Sequence, residues 1–395
     1  MNYILFDDNS RGNLLPLTFT RPIAEIRIGI ITLREKWEHY VKSKISYKTE
    51  KYLSLKFPIQ IKKINCFINA SIIPTQKLIE KIKLLNENEV LIQDNIFIAT
   101  VLNEANAMQF DTSDIKNYNK IEFKEKILKI DFPWQIFALN GEAIEQDFQL
   151  ITEGRKSEKL SSTNNLLGEH KIFVEEGVKA EFVTINATTG SVYIGKDSEI
   201  MEGSVIRGPF AICEHSSLKL LTKIYGPTTI GPHSKVGGEI NNSVIFGYSN
   251  KAHDGFLGNS VIGEWCNIGA DSNNSNLKNN YALVRLWNYT SNNFVKTDLQ
   301  FCGLIMGDHS KCGINTMFNT GTVVGVNANI YGSGFPRNFI PDFSWGGASG
   351  FTEFDMKKAI EVAQTVMSRR NVDLTDKDIE ILQYIFDYTE QYRKF

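Results

Sequence analysis

The stretch IGKDSEIMEGSVIRGPFAICEHSSLKLLTKIYGPTTIGPHSKV, residues 194–236, decides the fold. An aliphatic side chain recurs at every sixth position: Ile194, Ile200, Ile206, Ile212, Leu218, Ile224, Ile230 and Val236. Four residues after each come Ser198, Ser204, Phe210, Ser216, Thr222, Thr228, Ser234 and Ile240; six of these eight are Ser or Thr, so the second position is patterned like the first. A helix repeats every 3.6 residues and a strand every two, and neither yields six. A hexapeptide parallel β-helix does, because each repeat is one short flat face and three repeats close a coil. The aliphatic residue then points inward and stacks on its neighbours above and below, while the small hydroxyl residue fits the tight corner. The pattern returns at Met306, Cys312, Phe318, Val324 and Ile330, with Ser310, Thr316, Thr322, Ala328 and Gly334 at the same offset. The expected fold is a left-handed parallel β-helix of hexapeptide repeats over residues 168–350.

Its regularity breaks between Asn241 and Asp271, where the phase shifts and polar residues crowd. Ser272–Gln300 is too long for a corner and is expected to leave the coil as a loop, the kind of excursion on which a rigid scaffold carries functional residues. Residues 1–152 read as a separate α/β domain. Asn2–Phe6 and Cys66–Ile73 are strand signals, residues 25–43 carry apolar side chains at helical spacing, and Thr75–Leu85 is an amphipathic helix. Val90–Thr100 forms a hairpin-like pair around Asp94–Asn95, and residues 132–152 suggest one helix. Residues 153–167 are a polar linker. Residues 351–395 give two helices, with Thr352 and Thr375 as N-caps. The Lys- and Asn-rich stretches Ser43–Lys56 and Asp114–Lys129 read as solvated surface.

A chain of 395 residues has material for two or three domains with sizeable cores. A formal net charge of −2 gives no reason to expect nucleic acid or an anionic membrane as a partner. The first residues, MNYILFDDNS, lack the basic start of a signal peptide, and no apolar run approaches membrane-spanning length. The five cysteines are scattered, odd in number and never in CxxC spacing, which points to reduced thiols in a cytoplasm rather than a zinc knuckle.

His253, in SNKAHDGFLG, is the leading candidate for chemistry. An imidazole that titrates near neutrality is a natural general base for an amine or hydroxyl nucleophile; the alternative is a histidine that hydrogen-bonds a turn. Asn267, in CNIGA, and Asn276, on the departing loop, could orient sugar hydroxyls or cap turns. His309, in MGDHSK, also falls on a coil corner.

The segment NKAHDGFLGNSVIGEWCNIGADSNNSN resembles the active-site segment of the acetyltransferase half of the bifunctional N-acetylglucosamine-1-phosphate uridyltransferase/glucosamine-1-phosphate acetyltransferase family. There a histidine precedes a short hexapeptide stretch, then NIGAG, then a loop asparagine; here these are His253, Asn267 with Gly269–Ala270, and Asn276. LLPLTFTRP, residues 14–22, resembles the LxPLTxxRP that follows the glycine-rich loop of sugar-1-phosphate nucleotidyltransferases. Across nearly its full length the chain is similar to the variant of this family found in Bacteroidetes-type bacteria.

The resemblance implies acetyl transfer from acetyl-CoA to an amino-sugar 1-phosphate, with His253 as base, Asn267 and Asn276 orienting the sugar, and Lys223 and Arg207 meeting its phosphate. Acetyl-CoA would lie by Ala270, along Gly307–Ser310 with Gly307 and Asp308, and by Thr320–Gly325, between the β-helices of a homotrimer. For the α/β domain it implies nucleotidyl transfer from UTP or another NTP with Mg²⁺, and Arg11, Asn13 and Arg21 as nucleotide-binding residues. Together these would make UDP-N-acetylglucosamine. The departures are specific. Asn241 stands for the family's lysine and Phe256 for its tyrosine, with Lys251, Lys278 or Arg285 as candidates to restore the charge. The loop FDDNSRGN holds a single glycine and two carboxylates, the lysine after RP is Ile23, and Asn69 stands where a metal-binding aspartate is expected, with Asp94 the alternative. Two further readings stay open: a nucleotidyltransferase-like protein with a structural, trimerising β-helix, and a non-catalytic sugar-nucleotide binding protein.

Overall fold

A computed structural model of the chain describes residues 1–112 and 118–395, so that 114–117 of the stretch read as solvated lie outside the described residues. All eight aliphatic residues of the deciding stretch are buried. Their strands belong to three parallel sheets, the three faces of a coil. The first face runs from Ile172–Val174 to Phe339–Ile340 and the second from Lys179–Ala180 to Ser344–Gly347. The third runs from Asn165–Leu167 to Phe256–Gly258 and is continued by Asn273–Asn274 beside Met317–Phe318. The first coil strand thus lies inside the stretch expected to be linker. Inward residues stack in register, as in Ile194 on Ile212 on Ile230. The hydroxyl residues turn into the corners and satisfy backbone groups there. Ser216 Oγ donates to Gly231 O at 2.8 Å and accepts from Ser234 N at 3.0 Å.

The break after Asn241 is a change of corner length, not of fold. Inward positions continue as Ile240, Ile245, Lys251, Leu257, Ile262, Ile268 and Asn274, all buried, because several corners are one or two residues short. At the corner between the first and second faces, His215, His233, Tyr248, Trp265 and His309 all have φ between 52° and 62°. That left-handed conformation is costly for bulky residues, and here their rings stack into a ladder, with centroids 4.9, 4.7, 4.2 and 6.3 Å apart in order.

The N-terminal domain is a mixed sheet in the order 45–48, 2–6, 64–69, 96–103, 89–93, 119–122. Asn2–Phe6 runs parallel to both its neighbours. Helix Leu33–Val41 starts at a capping box made by Thr32 and Glu35, and Gln76–Lys83 is capped by Thr75. Asp94 and Asn95, at φ 47° and 67°, turn the hairpin Glu89–Gln93/Ile96–Asn103. The single helix expected over 132–152 is two, Pro133–Ala138 and Asn140–Thr152, meeting at Leu139. At the C-terminal end, helix Met356–Ser368 is capped by Asp355, not Thr352, which lies in the strand Gly350–Glu353; helix Asp376–Tyr388 is capped by Thr375.

The N-terminal domain packs on the first coil face. One core joins Leu17, Phe19 and Trp37 to Val244, Phe246 and Val261 of the coil and to Ile381 and Ile385 of the last helix, while a second core fills the coil. The departing loop forms an antiparallel hairpin, Arg285–Asn288 with Asn293–Lys296.

Candidate functional site

His253 sits on the corner between the second and third faces, its imidazole exposed. The corner is held from inside the coil. Lys251, in register with Val236, takes an inward position and is 3% exposed. Its Nζ donates to the carbonyls of His253 at 2.7 Å, Gly237 at 3.1 Å and Asp254 at 3.3 Å. Burial pulls this ammonium down to about 8, against the opposing pull of Asp254 and Asp271. Lys251 therefore ties the peptide that carries His253 to the coil before it. It cannot restore the surface charge missing at Asn241.

The third face presents the remaining sugar-site candidates. Lys223 projects outward in register with Glu239, and Glu239 with Phe256. Two strand spacings, roughly 10 Å, separate Lys223 from the Phe256 strand, which a lysine side chain partly spans. Arg207 is three spacings away, roughly 14 Å, too far to share a phosphate held beside His253 within one chain. Asn276 Nδ2 donates to Asn259 Oδ1 at 2.8 Å at the far edge of this face. Gly258 is glycine for a local reason: a Cβ there would lie 2.4 Å from the Phe256 ring and 2.8 Å from Asn276 Nδ2. Asn267 is exposed on the adjoining second face, between Asn250 and Lys311. Ala270 is at the His253 corner one coil on, its carbonyl accepting from Asn315 N at 2.8 Å.

A second polar cluster lies outside the carboxyl ends of strands 2–6 and 64–69, where open α/β sheets bind ligands. Lys129 Nζ contacts Asp8 Oδ2 at 3.1 Å, Asp131 and Ser10 Oγ. Asn69 Nδ2 donates to Asp8 at 3.0 Å. Burial alone would raise the Asp8 carboxyl, but Lys129, Asn69 and Ser10 hold it below the usual carboxylate range. Burial also pushes Asp7 up to about 6, despite Arg11, Thr49 and the Ile23 N–H. Asp94 is on the hairpin turn and has no part in this cluster.

Residues 3–156 match the family model described as sugar nucleotidyl transferase. The N-terminal domain is thus similar to the sugar nucleotidyl transferase family. The chain is also similar to a bifunctional sugar-1-phosphate nucleotidylyltransferase/acetyltransferase of Sulfurisphaera tokodaii, 26% identical over 53% of this chain and 46% of that protein. A bifunctional protein GlmU of Methanococcus aeolicus is 32% identical over 36% of this chain and 34% of its own, and an uncharacterized acetyltransferase of Escherichia coli is 26% identical over 38% and 66%. The chain spans about half the length of the first of these relatives. Among solved structures, an Arabidopsis UDP-N-acetylglucosamine acyltransferase aligns with 60% of this chain and 99% of its own at 14% identity and a TM-score of 0.26, too loose a superposition to carry functional information.

In this N-terminal domain the three expected nucleotide-binding residues are engaged within the protein. Arg21 is buried in an ion pair with Asp308 of the coil, which also accepts from Thr20 at 2.7 Å, and it meets Glu264 at 3.1 Å. Arg21 and Asp308, expected in two different sites, are thus partners in one interdomain clamp. Arg11 donates to Thr18 O at 2.8 Å and to Tyr52 OH at 2.6 Å. Asn13 Oδ1 accepts from Asn288 Nδ2 at 3.2 Å, because the coil hairpin lies over the loop after the first strand. A Cβ on Gly12 would meet Thr290 Oγ1 at 2.6 Å, so the loop's single glycine admits the hairpin turn.

The expected coenzyme path is corrected on the same grounds. Gly307–Ser310 is buried under the N-terminal domain and the last helices, and a Cβ at Gly321 would meet Val284 and Arg285 of the hairpin base. His309 is buried, its Nδ1 without a partner. Mg²⁺ does not fit the Asp8 cluster as it stands: the Lys129 ammonium already lies between Asp8 and Asp131 and occupies the place a cation would take. Sequence reasoning missed the roles of Lys251 and Lys129. Lys251 was legible, since it falls six residues after Ile245 and six before Leu257, in an aliphatic slot. Nothing local marks Lys129, which reaches Asp8 only through the sheet.

Proposed function

We propose that the coil transfers an acetyl group from acetyl-CoA to the amine of an amino-sugar 1-phosphate, glucosamine 1-phosphate in the reading that fits the resemblance. The observation that carries this is His253, an exposed imidazole on a corner fixed by an internal ammonium, beside a face that presents Lys223 and Asn276. His253 takes the proton of the attacking amine, the nitrogen bonds to the thioester carbonyl carbon, and the C–S bond breaks to release coenzyme A. Names of relatives that include acetyltransferase support the reading.

The site is completed in a homotrimer. Phe182, Leu220, Leu221 and Ile314 crown the His253 corner and are 60% or more exposed, and Val205 and Met317 continue this apolar stripe onto the third face. The five cysteines are free and buried, consistent with a reducing cytoplasm, and among the described residues no helix is long and apolar enough to cross a membrane.

Nucleotidyl transfer from UTP to the acetylated sugar 1-phosphate is the second reading, favoured by the Lys129 cluster at the sheet's ligand-binding end. It requires the hairpin to move off Gly12 and Asn13. The test is coenzyme A thiol release from acetyl-CoA with glucosamine 1-phosphate, for wild type and a folded His253→Ala variant, with light scattering on both samples. Turnover lost in the variant and a trimer mass support the reading. Wild-type inactivity, or turnover indifferent to the substitution, overturns it.

A further inference from the structure

We propose that the pocket between the second coil face and the end of helix Met356–Ser368 binds a phosphate-bearing ligand. It has a volume of 380 Å³, and its polar lining is Lys235, Asn250, Asn267 and Lys311 from the coil and Arg369 and Arg370 from just beyond the helix. The four coil residues are successive rungs of one outward column, Lys235 beside Asn250, Asn250 beside Asn267, and Asn267 beside Lys311. At one strand spacing per rung the column is roughly 14 Å long, enough for a diphosphate with its substituents. Arg370 Nη2 donates to Asn250 Oδ1 at 3.1 Å and closes the pocket from the helix side. Tyr248 and Trp265 of the ring ladder line it as well.

Among the described residues, none of the four cations has a carboxylate within ion-pair distance. A helix C-terminus favours nearby cations, which accounts for Arg369 and Arg370. It does not account for Lys235 and Lys311, which come from strands and face them. The crowding is felt: Arg370 first, then burial, Lys219 and Arg369, pull the Lys235 ammonium below the usual lysine range. Burial, not the other cations, pulls Lys311 down to about 8, and its Nζ donates to His309 O at 2.7 Å. A di- or trianion relieves the repulsion around Lys235, and charge-assisted bonds to phosphate oxygens are the strong kind. The asparagine amides between the lysines add neutral donors along the same line.

Occupancy of the pocket can be tested without turnover. Titration calorimetry of the full chain with inorganic pyrophosphate should show binding that weakens as salt is added. The double variant Lys235→Gln/Arg369→Gln, on two exposed side chains, should bind about 10-fold more weakly or worse. If that protein melts early, Arg369→Gln alone gives the same readout. Coenzyme A, 3′-dephospho-coenzyme A and UTP then distinguish the source: a preference for coenzyme A that the dephospho form loses assigns the pocket to its 3′-phosphate, and a preference for UTP assigns it to a free nucleotide. No pyrophosphate binding to wild type, or equal binding to the variants, overturns the proposal.

Discussion

Lys251 shows how one residue can be read two ways. At a hexapeptide slot it should be aliphatic; in the structure its stem fills that slot and its ammonium holds three carbonyls, including that of His253. Replacing a buried charge by an apolar residue of like shape is often close to neutral in stability. Lys251→Met is therefore expected to keep the melting temperature within a few degrees while lowering kcat of acetyl transfer on the order of 10- to 100-fold, with KM little changed. A variant with wild-type kcat would remove Lys251 from the argument. His309 gives a pH prediction. Burial first, then Lys311 and Lys56, pull its imidazole down to about 3. The folded state thus stays neutral where the unfolded chain binds a proton, so stability falls as pH drops below about 6.5 toward 3, by about 2 kcal/mol at about pH 5. His309→Phe, which keeps a ring against Trp265, should show a smaller loss of melting temperature between about pH 7.5 and 5 than wild type.

Among the elements, the hairpin Arg285–Asn288/Asn293–Lys296 explains why the loop 272–300 leaves the coil. Tyr289 packs edge-on against Phe19 of the N-terminal domain, with centroids 5.2 Å apart, and donates to Asp342 at 2.8 Å. Trp287 stacks on Phe339 at 4.2 Å. The hairpin is a strut joining the last coils to the first loop of the chain. Burial pushes the Asp342 carboxyl up to about 6, against the Val326 N–H and the Tyr289 hydroxyl, which favour its charged form. Tyr289→Phe should therefore cost more above pH 6, where Asp342 is ionised, than below it, with a loss of about 1.5–3 kcal/mol at the alkaline end. Denaturant unfolding on both sides of that pH measures it; a loss independent of pH would show that the hydroxyl does not face a carboxylate.

For the whole molecule, the clamp of Arg21 on Asp308 and Glu264 fixes the N-terminal domain to the coil. Arg21→Met leaves Asp308 buried and uncompensated, a change that typically costs about 3–5 kcal/mol. Unfolding of this variant should begin at the domain boundary, with Phe246 and Trp265 fluorescence and proteolytic cleavage reporting loosening before the coil melts. Simultaneous melting at the wild-type temperature would show that the ion pair contributes little.

The coil, its corner hydroxyls, the hairpin at Asp94–Asn95 and the last helix were legible because each rests on local spacing: a period of six, a two-residue turn, an N-cap. The shortened corners after Val236 moved the inward slots out of the earlier phase, so that Lys251 passed for surface charge although its own neighbours Ile245 and Leu257 keep the six-residue spacing. What only the tertiary structure decided is which side chains are free. Arg21, Asp308, Arg11 and Asn13 have the chemistry for phosphate or coenzyme, but the fold brings partners to each from residues up to 288 positions away. Conversely it gathers Lys235, Lys311, Arg369 and Arg370 from three distant segments and, among the described residues, gives them no carboxylate within ion-pair distance. Local pattern fixes which residues turn inward, whereas charge pairing depends on long-range packing that no local spacing encodes.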